Sequence, residues 1–272
     1  GRITRVYPDG RKETVAETGG GPNGLALGPD GKLYCCNNGG FEYLESNGYL
    51  APHGIADDYS GGRIERIDIA TGTVEVLYKS GDFGCVLRGP NDIVFDAHGG
   101  FWFTDHGKVD YVKRCHDIVG IFYAKADGSF IEEVIFPSNN PNGVGLSPDG
   151  NTLYAATDDR VWATPISPTA NVANWTVAGT GLIFGTGVNS IEVINGNPKD
   201  DKTYVWTMGG YTPSQIRDTQ TGRLLLSFNG DGYKTYQYDS FGNITNTEAY
   251  LMLRDHQGSV IPPSISTVLP VM

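Results

Sequence analysis

One phrase recurs along this chain and constrains its fold more than any other feature. The first copy reads Asn23-Gly-Leu-Ala-Leu-Gly-Pro-Asp-Gly-Lys-Leu-Tyr34, and the second Asn91-Asp-Ile-Val-Phe-Asp-Ala-His-Gly-Gly-Phe-Trp-Phe-Thr-Asp105. The third is Asn142-Gly-Val-Gly-Leu-Ser-Pro-Asp-Gly-Asn-Thr-Leu-Tyr154; a weaker fourth starts at Asn189-Ser-Ile-Glu-Val-Ile-Asn-Gly196 and runs on to Tyr204-Val-Trp206. Each copy is an asparagine, an alternating apolar strand, a glycine-containing turn and a second strand. A fixed period of this kind is the mark of a repeat architecture.

A further hairpin follows the copies: Gly62–Tyr78 turns at Ala70-Thr-Gly72, Gly120–Phe136 at Ala126-Asp-Gly128, and Gln215–Phe228 at Gln220-Thr-Gly222. Glycine suits such turns because it accepts positive φ without a Cβ clash. Four strands per unit, at spacings of roughly 47 to 68 residues, describe the blade of a β-propeller. No helical periodicity is sustained anywhere. The opening segment, Ile3–Val15 around Pro8-Asp-Gly10, is a hairpin without a partner, and its natural role is to complete the last blade and close the ring. The fold class expected is therefore all-β: a closed β-propeller of four-stranded blades, five or six in number. It should be one domain over residues 1–259, followed by an irregular tail at 260–272.

In such a blade the innermost strand starts at one end of the channel and the second strand returns to it. Asn23, Asn91, Asn142 and Asn189 should thus ring one channel mouth. The segments after the second strands form the rim, and they are long: Asn37–Gly61, Asp105–Asp117 and Met208–Ser214. The turns at the opposite end, Gly28–Gly31, Asp96–Gly100 and Ser147–Gly150, are minimal. Long loops on a rigid scaffold are where function usually sits. A ring of amide oxygens suits a hard cation such as Ca²⁺, which takes six to eight oxygen ligands. The same asparagines also fit a plainer role, since Asn before a strand commonly bonds its own turn.

Charge and composition narrow the rest. A net charge of −11 argues against nucleic acid, which calls for a basic face. No apolar run is long enough for a membrane-spanning helix. The cysteines Cys35, Cys36, Cys85 and Cys115 have no zinc spacing; buried thiols are expected, with a Cys85–Cys115 bridge as the alternative. No leader-like segment opens the sequence at Gly1, so the compartment is left open, cytoplasmic or secreted with a leader removed. There is no nucleophile elbow, HExxH, phosphate loop or dinucleotide fingerprint.

The stretch from about Gly21 to Ala163 resembles the senescence-marker-protein/gluconolactonase family of six-bladed lactonases. The closest phrases are Gly89-Pro-Asn-Asp-Ile-Val-Phe-Asp96 with Phe101-Trp-Phe-Thr-Asp-His106, and Pro141-Asn-Gly-Val-Gly-Leu-Ser-Pro-Asp-Gly150. The resemblance implies hydrolysis of a small lactone or related ester around one channel-bound divalent metal, taken as Ca²⁺. It makes Asn91 and Asn142 metal ligands and Asp92 the catalytic carboxylate. Asn23 falls where the family carries a ligating Glu, and Asn189 where it carries an Asp, so two carboxylates are replaced by neutral amides. Glu42 and Asp158 are the next carboxylate candidates. His53, His106 and His116 lie on rim segments and could orient the leaving group, whereas His98 sits at the opposite end and His256 in the divergent tail.

Beyond about Gly210 the resemblance changes. Arg217-Asp-Thr-Gln-Thr-Gly-Arg-Leu224, Tyr236-Gln-Tyr-Asp-Ser-Phe-Gly-Asn-Ile-Thr245 and Arg254-Asp-His-Gln-Gly-Ser-Val260 resemble tyrosine–aspartate repeats of the Rhs type. They are expected to supply strands that complete the ring. Two functions follow from all this. One is a metal-dependent hydrolase with a small-molecule lactone or ester as partner; the other is a non-catalytic propeller that binds a ligand or assembles with its own copies.

Overall fold

The computed structural model describes residues 1–46, 48–111, 113–157, 161–166, 176–177, 188–194, 204–209, 214–218, 223–228 and 232–251. These residues are almost wholly β-structure, with a single 3-10 turn at Asp82–Gly84. The chain forms two compact units, the first built on Gly1–Val144 and the second on the strands that follow.

The first unit opens with a hairpin of β1 (Arg2–Val6) and β2 (Lys12–Glu17), which hydrogen-bond to one another. Its first four-stranded antiparallel sheet takes β3 (Pro22–Leu27) and β4 (Leu33–Asn37), passes over a separate rim hairpin of β5 (Phe41–Ser46) and β6 (Tyr49–Ile55), and returns with β7 (Arg63–Ile67) and β8 (Val74–Lys79), in the order β3-β4-β7-β8. The second sheet repeats the plan: β9 (Pro90–Phe95), β10 (Gly100–Asp105), a short rim hairpin of β11 (Val109–Asp110) and β12 (Cys115–His116), then β13 (Val119–Lys125) and β14 (Ile131–Ser138). The rim segments expected as plain loops after β4 and β10 thus carry strands of their own. Their alternating stretches Phe41–Ser46 and Tyr49–Ile55 pair across a turn at Gly48, whose φ of +79° glycine tolerates.

The second unit contains β15 (Val144–Leu146), β16 (Thr152–Ala156), β17 (Val161–Pro165) and β18 (Thr176–Val177) in one sheet. A six-stranded sheet follows, made of β19 (Val188–Ile194), β20 (Tyr204–Gly209), β21 (Ser214–Asp218), β22 (Leu224–Phe228), β23 (Gly232–Tyr238) and β24 (Ile244–Leu251) in chain order. Its last two strands hold the Tyr236–Thr245 phrase. The segments around Arg254 and 260–272 lie outside the described residues.

Packing explains why β4 and β10 are central. Cys35 and Cys36 point to opposite faces of β4, and both are fully buried. Cys36 joins Tyr34, Ile64, Tyr78 and Leu87 against Ile93, Phe101, Phe103 and Phe122 of the next sheet. Cys35 and Ile67 face the other way, onto Ile3 and Ala16 of the N-terminal hairpin. A strand buried on both faces reads as a continuous apolar run, which is what Leu33-Tyr-Cys-Cys36 is. Buried tyrosine hydroxyls find carbonyl acceptors across the sheets: Tyr78 donates to the carbonyls of Lys125 (2.6 Å) and Phe130 (2.8 Å). All four cysteines are free thiols, so the alternative Cys85–Cys115 bridge is not formed; Cys115 is exposed on β12 and Cys85 half-buried beside Ile131.

The N-terminal hairpin departs from expectation. Among the described residues β1 and β2 pair with no strand of the C-terminal third, and the six-stranded sheet takes its extra strands from the hairpin that follows it in sequence. The physical reason lies in Ile3 and Ala16, opposite one another in the hairpin, which find their apolar partners on β4 and β7.

The inner edges of the first two sheets lie very close. A Cβ on Gly24 would sit 2.4 Å from the Asn91 carbonyl oxygen and 2.5 Å from the Asp92 Cα. Both are backbone atoms, so nothing can swing aside. Gly24→Ala is therefore expected to cost about 1–3 kcal/mol in thermal or urea unfolding, as for other overpacked interiors. An unchanged melting curve would show that β3 and β9 are free to separate.

Candidate functional site

Three of the repeated asparagines occupy one place in their sheets: Asn23, Asn91 and Asn189 are each the second residue of β3, β9 and β19, while Asn142 lies two residues before β15. Strand β9 is the hub. The Asp92 carboxylate reaches both ways along it, with Oδ1 accepting the Ile93 N–H (3.0 Å) and Oδ2 accepting the Val144 N–H (3.0 Å). The Thr104 hydroxyl donates to the Asn142 carbonyl and accepts the Asp92 N–H at 3.2 Å. Asn91, Asp92 and the Asn142–Val144 segment are thus stitched together, with Gly24 flush against them.

Electrostatically, Asp92 is the unusual member. Burial pushes its carboxyl up to about 6, against the two N–H donors that favour ionisation. No cation pairs with it among the described residues. The Asn91 side chain is half-buried and makes no hydrogen bond among those residues, and Asn23 is exposed on β3.

The other candidates are scattered. Glu42 is exposed on β5, its carboxylate near Gly54. His53 on β6 is exposed and stacks on Tyr111 with ring centroids 5.3 Å apart, joining the two rim hairpins. The His106 ring lies 3.2 Å from the Asn140 carbonyl, close to the Asn142 segment. His116 is exposed on β12, its ring 3.0 Å from the Asp117 carbonyl. Asp158 and the side chain of Asn189 lie outside the described residues.

Several polar residues that sequence reasoning passed over organise this end of the sheets. Asp105, 1% exposed, ends β10: Oδ1 accepts the Gly89 (2.7 Å) and Gly107 (2.8 Å) amides and Oδ2 the Arg88 amide (2.7 Å). Asn37 does the same at the end of β4, where Oδ1 accepts the amides of Gly21 (2.9 Å) and Gly39 (3.0 Å). Its Nδ2 donates to the buried Glu65 carboxylate at 3.0 Å. Each side chain ties the segment leading into an inner strand to the end of the second strand. The signal was present in the sequence, since Asn37-Asn-Gly39 and Asp105-His-Gly107 share one spacing. Burial pushes Asp105 up to about 6 despite its three donors.

Lys108 is the other omission. It is 2% exposed, with Nζ donating to the Gly40 carbonyl (2.8 Å) and Asn38 Oδ1 (3.2 Å), and it lies 3.5 Å from the centroid of the Phe41 ring. It locks the rim after β10 to the rim after β4. Burial lowers its ammonium to about 7, although Asp105 and Asp117 pull it the other way. A lysine depressed on folding binds its proton more tightly when unfolded, so stability should rise with pH from about 7 towards the ordinary lysine value near 10.4. Urea midpoints are expected to show that rise in the wild type and to lose it in Lys108→Met.

Among the described residues no three His, Cys, Asp or Glu side chains gather into a metal-binding cluster. A cation here would rest on Asp92 and amide oxygens, and the donor chemistry fits a hard ion: a desolvated carboxylate with no cationic partner beside an uncommitted amide. Among the same residues no helix is long and apolar enough to cross a membrane.

Two four-stranded antiparallel sheets whose inner strands β3 and β9 adjoin, among described residues that are almost wholly β-structure, define a β-propeller-like protein. The comparison with solved structures agrees: a gluconolactonase of Xanthomonas campestris aligns with a TM-score of 0.60 at 21% identity, over 92% of this chain and 78% of that one. The chain belongs to the SMP-30/gluconolactonase/LRE-like region family, whose profile matches residues 1–207. It is similar to the gluconolactonase of Zymomonas mobilis, at 26% identity over 147 residues covering 52% of this chain and 34% of that protein. It is also similar to lactonase drp35 of Staphylococcus haemolyticus, at 29% over 156 residues, 57% of this chain and 41% of that protein. The chain spans well under half the length of these relatives.

Proposed function

We propose that this chain is a lactone hydrolase acting on a small cyclic ester at the heads of β3 and β9, beside the Asn142–Val144 segment. The observation that carries the reading is the Asp92 carboxylate, desolvated, without a cationic partner among the described residues and held up to about 6 where a general base would operate. Its relatives named gluconolactonase and lactonase support the choice of substrate class.

In this reading Asp92 takes a proton from the attacking water, and its two backbone hydrogen bonds hold it in one orientation. Asn91 and Asn142, with Asn23 at the corresponding head of β3, would hold a divalent ion, Ca²⁺ by donor type. Such an ion, when bound, polarises a carbonyl and stabilises the charge that develops on its oxygen. Thr104 keeps β9 and the Asn142 segment at fixed separation, and His106 lies close enough to that segment to act on the leaving oxygen.

Chelation is the direct test of the ion. A hundredfold excess of Ca²⁺ over its dissociation constant should stabilise the fold by about 2.7 kcal/mol, and EDTA should lower the melting temperature and abolish hydrolysis of simple lactones together. Identical melting with and without chelator, and no turnover across a lactone panel, would leave the second reading. That reading is a ligand-binding or self-assembling propeller, and it is favoured by the engagement of both Asp92 oxygens in backbone bonds, as a structural staple would be.

A further inference from the structure

We propose that Lys108 and Asn38 join in an intramolecular isopeptide bond, a covalent cross-link between the rim segment after β10 and the one after β4. Asn38 follows β4 directly and Lys108 directly precedes β11, 70 residues further along the chain. Both are buried, at 7% and 2% exposed. The Lys108 Nζ donates to Asn38 Oδ1 at 3.2 Å and to the Gly40 carbonyl at 2.8 Å.

Two anomalies meet at this contact. A buried lysine is ordinarily paired with an acid. Among the described residues no carboxylate lies within ion-pair distance of Lys108. A buried amide ordinarily satisfies both its ends. Asn38 satisfies only its oxygen, which accepts the Gly40 N–H (2.9 Å) as well as Lys108, and its Nδ2 meets no acceptor among the described residues. The same two donors fix which end of the amide is the oxygen. Gly21 packs so close that a Cβ there would sit 2.2 Å from Oδ1, so the amide is held in place.

One reaction removes both anomalies. The neutral Lys108 amine attacks Asn38 Cγ; the Nζ–Cγ bond forms, the Cγ–Nδ2 bond breaks, and Nδ2 leaves as ammonia with a proton given up by Nζ. No oxidant, reductant or further reactant enters. A carbonyl bond is about 1.23 Å long, so Cγ lies at most about 4.4 Å from Nζ. That is close to the separation of about 3–3.5 Å at which held groups reach effective molarities of about 10⁵–10⁸ M. Burial lowers the Lys108 ammonium to about 7, so free amine is present at neutral pH. The rings of Phe41 and Tyr59, with centroids 3.5 and 5.2 Å from Nζ, wall the pair. In the product Oδ1 keeps the Gly40 N–H and the new amide N–H keeps the Gly40 carbonyl, while the buried charge and the idle NH₂ are gone. The rise of stability with pH given above for Lys108 belongs to the chain before the bond forms. The cross-link is independent of the hydrolase reading, because it uses none of that site's residues.

Intact-mass spectrometry of the denatured full chain, after incubation of the folded protein at pH 8, tests it. The chain should be lighter than its sequence dictates by about 17 Da, one ammonia. Trypsin should fail to cut after Lys108, and the peptides 33–63 and 89–113 should be recovered joined. The Asn38–Gly39 peptide could also lose ammonia by attack of the Gly39 amide, but that amide is held on Asn37 Oδ1 at 3.0 Å. Lys108→Met and Asn38→Ala should therefore each keep the full mass of their own sequences, with folding checked by circular dichroism. Where a variant fails to fold, the joined peptide in the wild-type digest decides. A wild type of full mass, separate peptides 33–63 and 89–113, or the same mass loss in folded Lys108→Met would each overturn the proposal.

Discussion

Asp92→Asn is expected to reduce lactone hydrolysis by about 10²–10⁴-fold, the usual contribution of a positioned general base. The carboxylate bridges β9 and the Asn142–Val144 segment through its two backbone hydrogen bonds, and among the described residues no other acid shares those donors. Hydrolysis by the wild type should rise with pH through about 6, because only the ionised form accepts a proton, and the variant should lose that limb. The fold should survive. The amide retains one acceptor and no longer carries a buried charge, while its NH₂ faces one backbone donor, a penalty of about 1–3 kcal/mol set against relief of desolvation. Steady-state rates between pH 4.5 and 8, alongside melting curves, measure both. Full activity in a folded Asp92→Asn protein would remove Asp92 from the chemistry.

The largest effect on stability is expected at Asp105. Asp105→Ala leaves the amides of Arg88, Gly89 and Gly107 without their acceptor in a place closed to water, and should cost about 3–5 kcal/mol. Asp105→Asn should cost only about 1 kcal/mol. The first sheet shows why, since Asn37 holds the corresponding amides of Gly21 and Gly39 through a single oxygen. Only the Arg88 amide loses its acceptor.

The pH dependence has a definite sign. Asp105 has a folded-state value near 6, above the ordinary aspartate value near 3.9, so the folded protein binds its proton more tightly than the unfolded chain. Stability should therefore fall as pH rises from about 4 to about 6 and level off above. Asp105→Asn should flatten part of that decline, with Asp92 and Glu133, both raised by burial, contributing to what is left. Urea midpoints at pH 4.5 and 7 check this, and an Ala variant no worse than Asn would refute the anchoring role.

Sequence reasoning went furthest where local chemistry repeats. The Asn-strand-turn-strand phrases located the inner strands, because alternation and glycine turns act over a few residues and need no partner. The placement of Asn23, Asn91 and Asn189 at equivalent positions of β3, β9 and β19 was legible for the same reason. So was the opposite orientation of Cys35 and Cys36. Family membership, too, was legible in phrases such as Gly89-Pro-Asn-Asp92.

What the tertiary structure alone decided are the matters that depend on which surface a side chain meets. Nothing in Ile3-Thr-Arg-Val6 says that its apolar residue will seat on β4 and β7, because one isoleucine fits any apolar face of suitable shape. Nor does Lys108 announce itself. A lysine in a polar rim segment reads as solvated until two segments far apart in sequence bring Phe41, Asn38 and the Gly40 carbonyl around it. Asp92 was nameable as a carboxylate beside an asparagine, but its elevated proton affinity comes from burial between β9, Gly24 and Val144, and burial is a property of the packed chain. Short-range preference is written residue by residue, whereas desolvation is set by every neighbour the fold assembles.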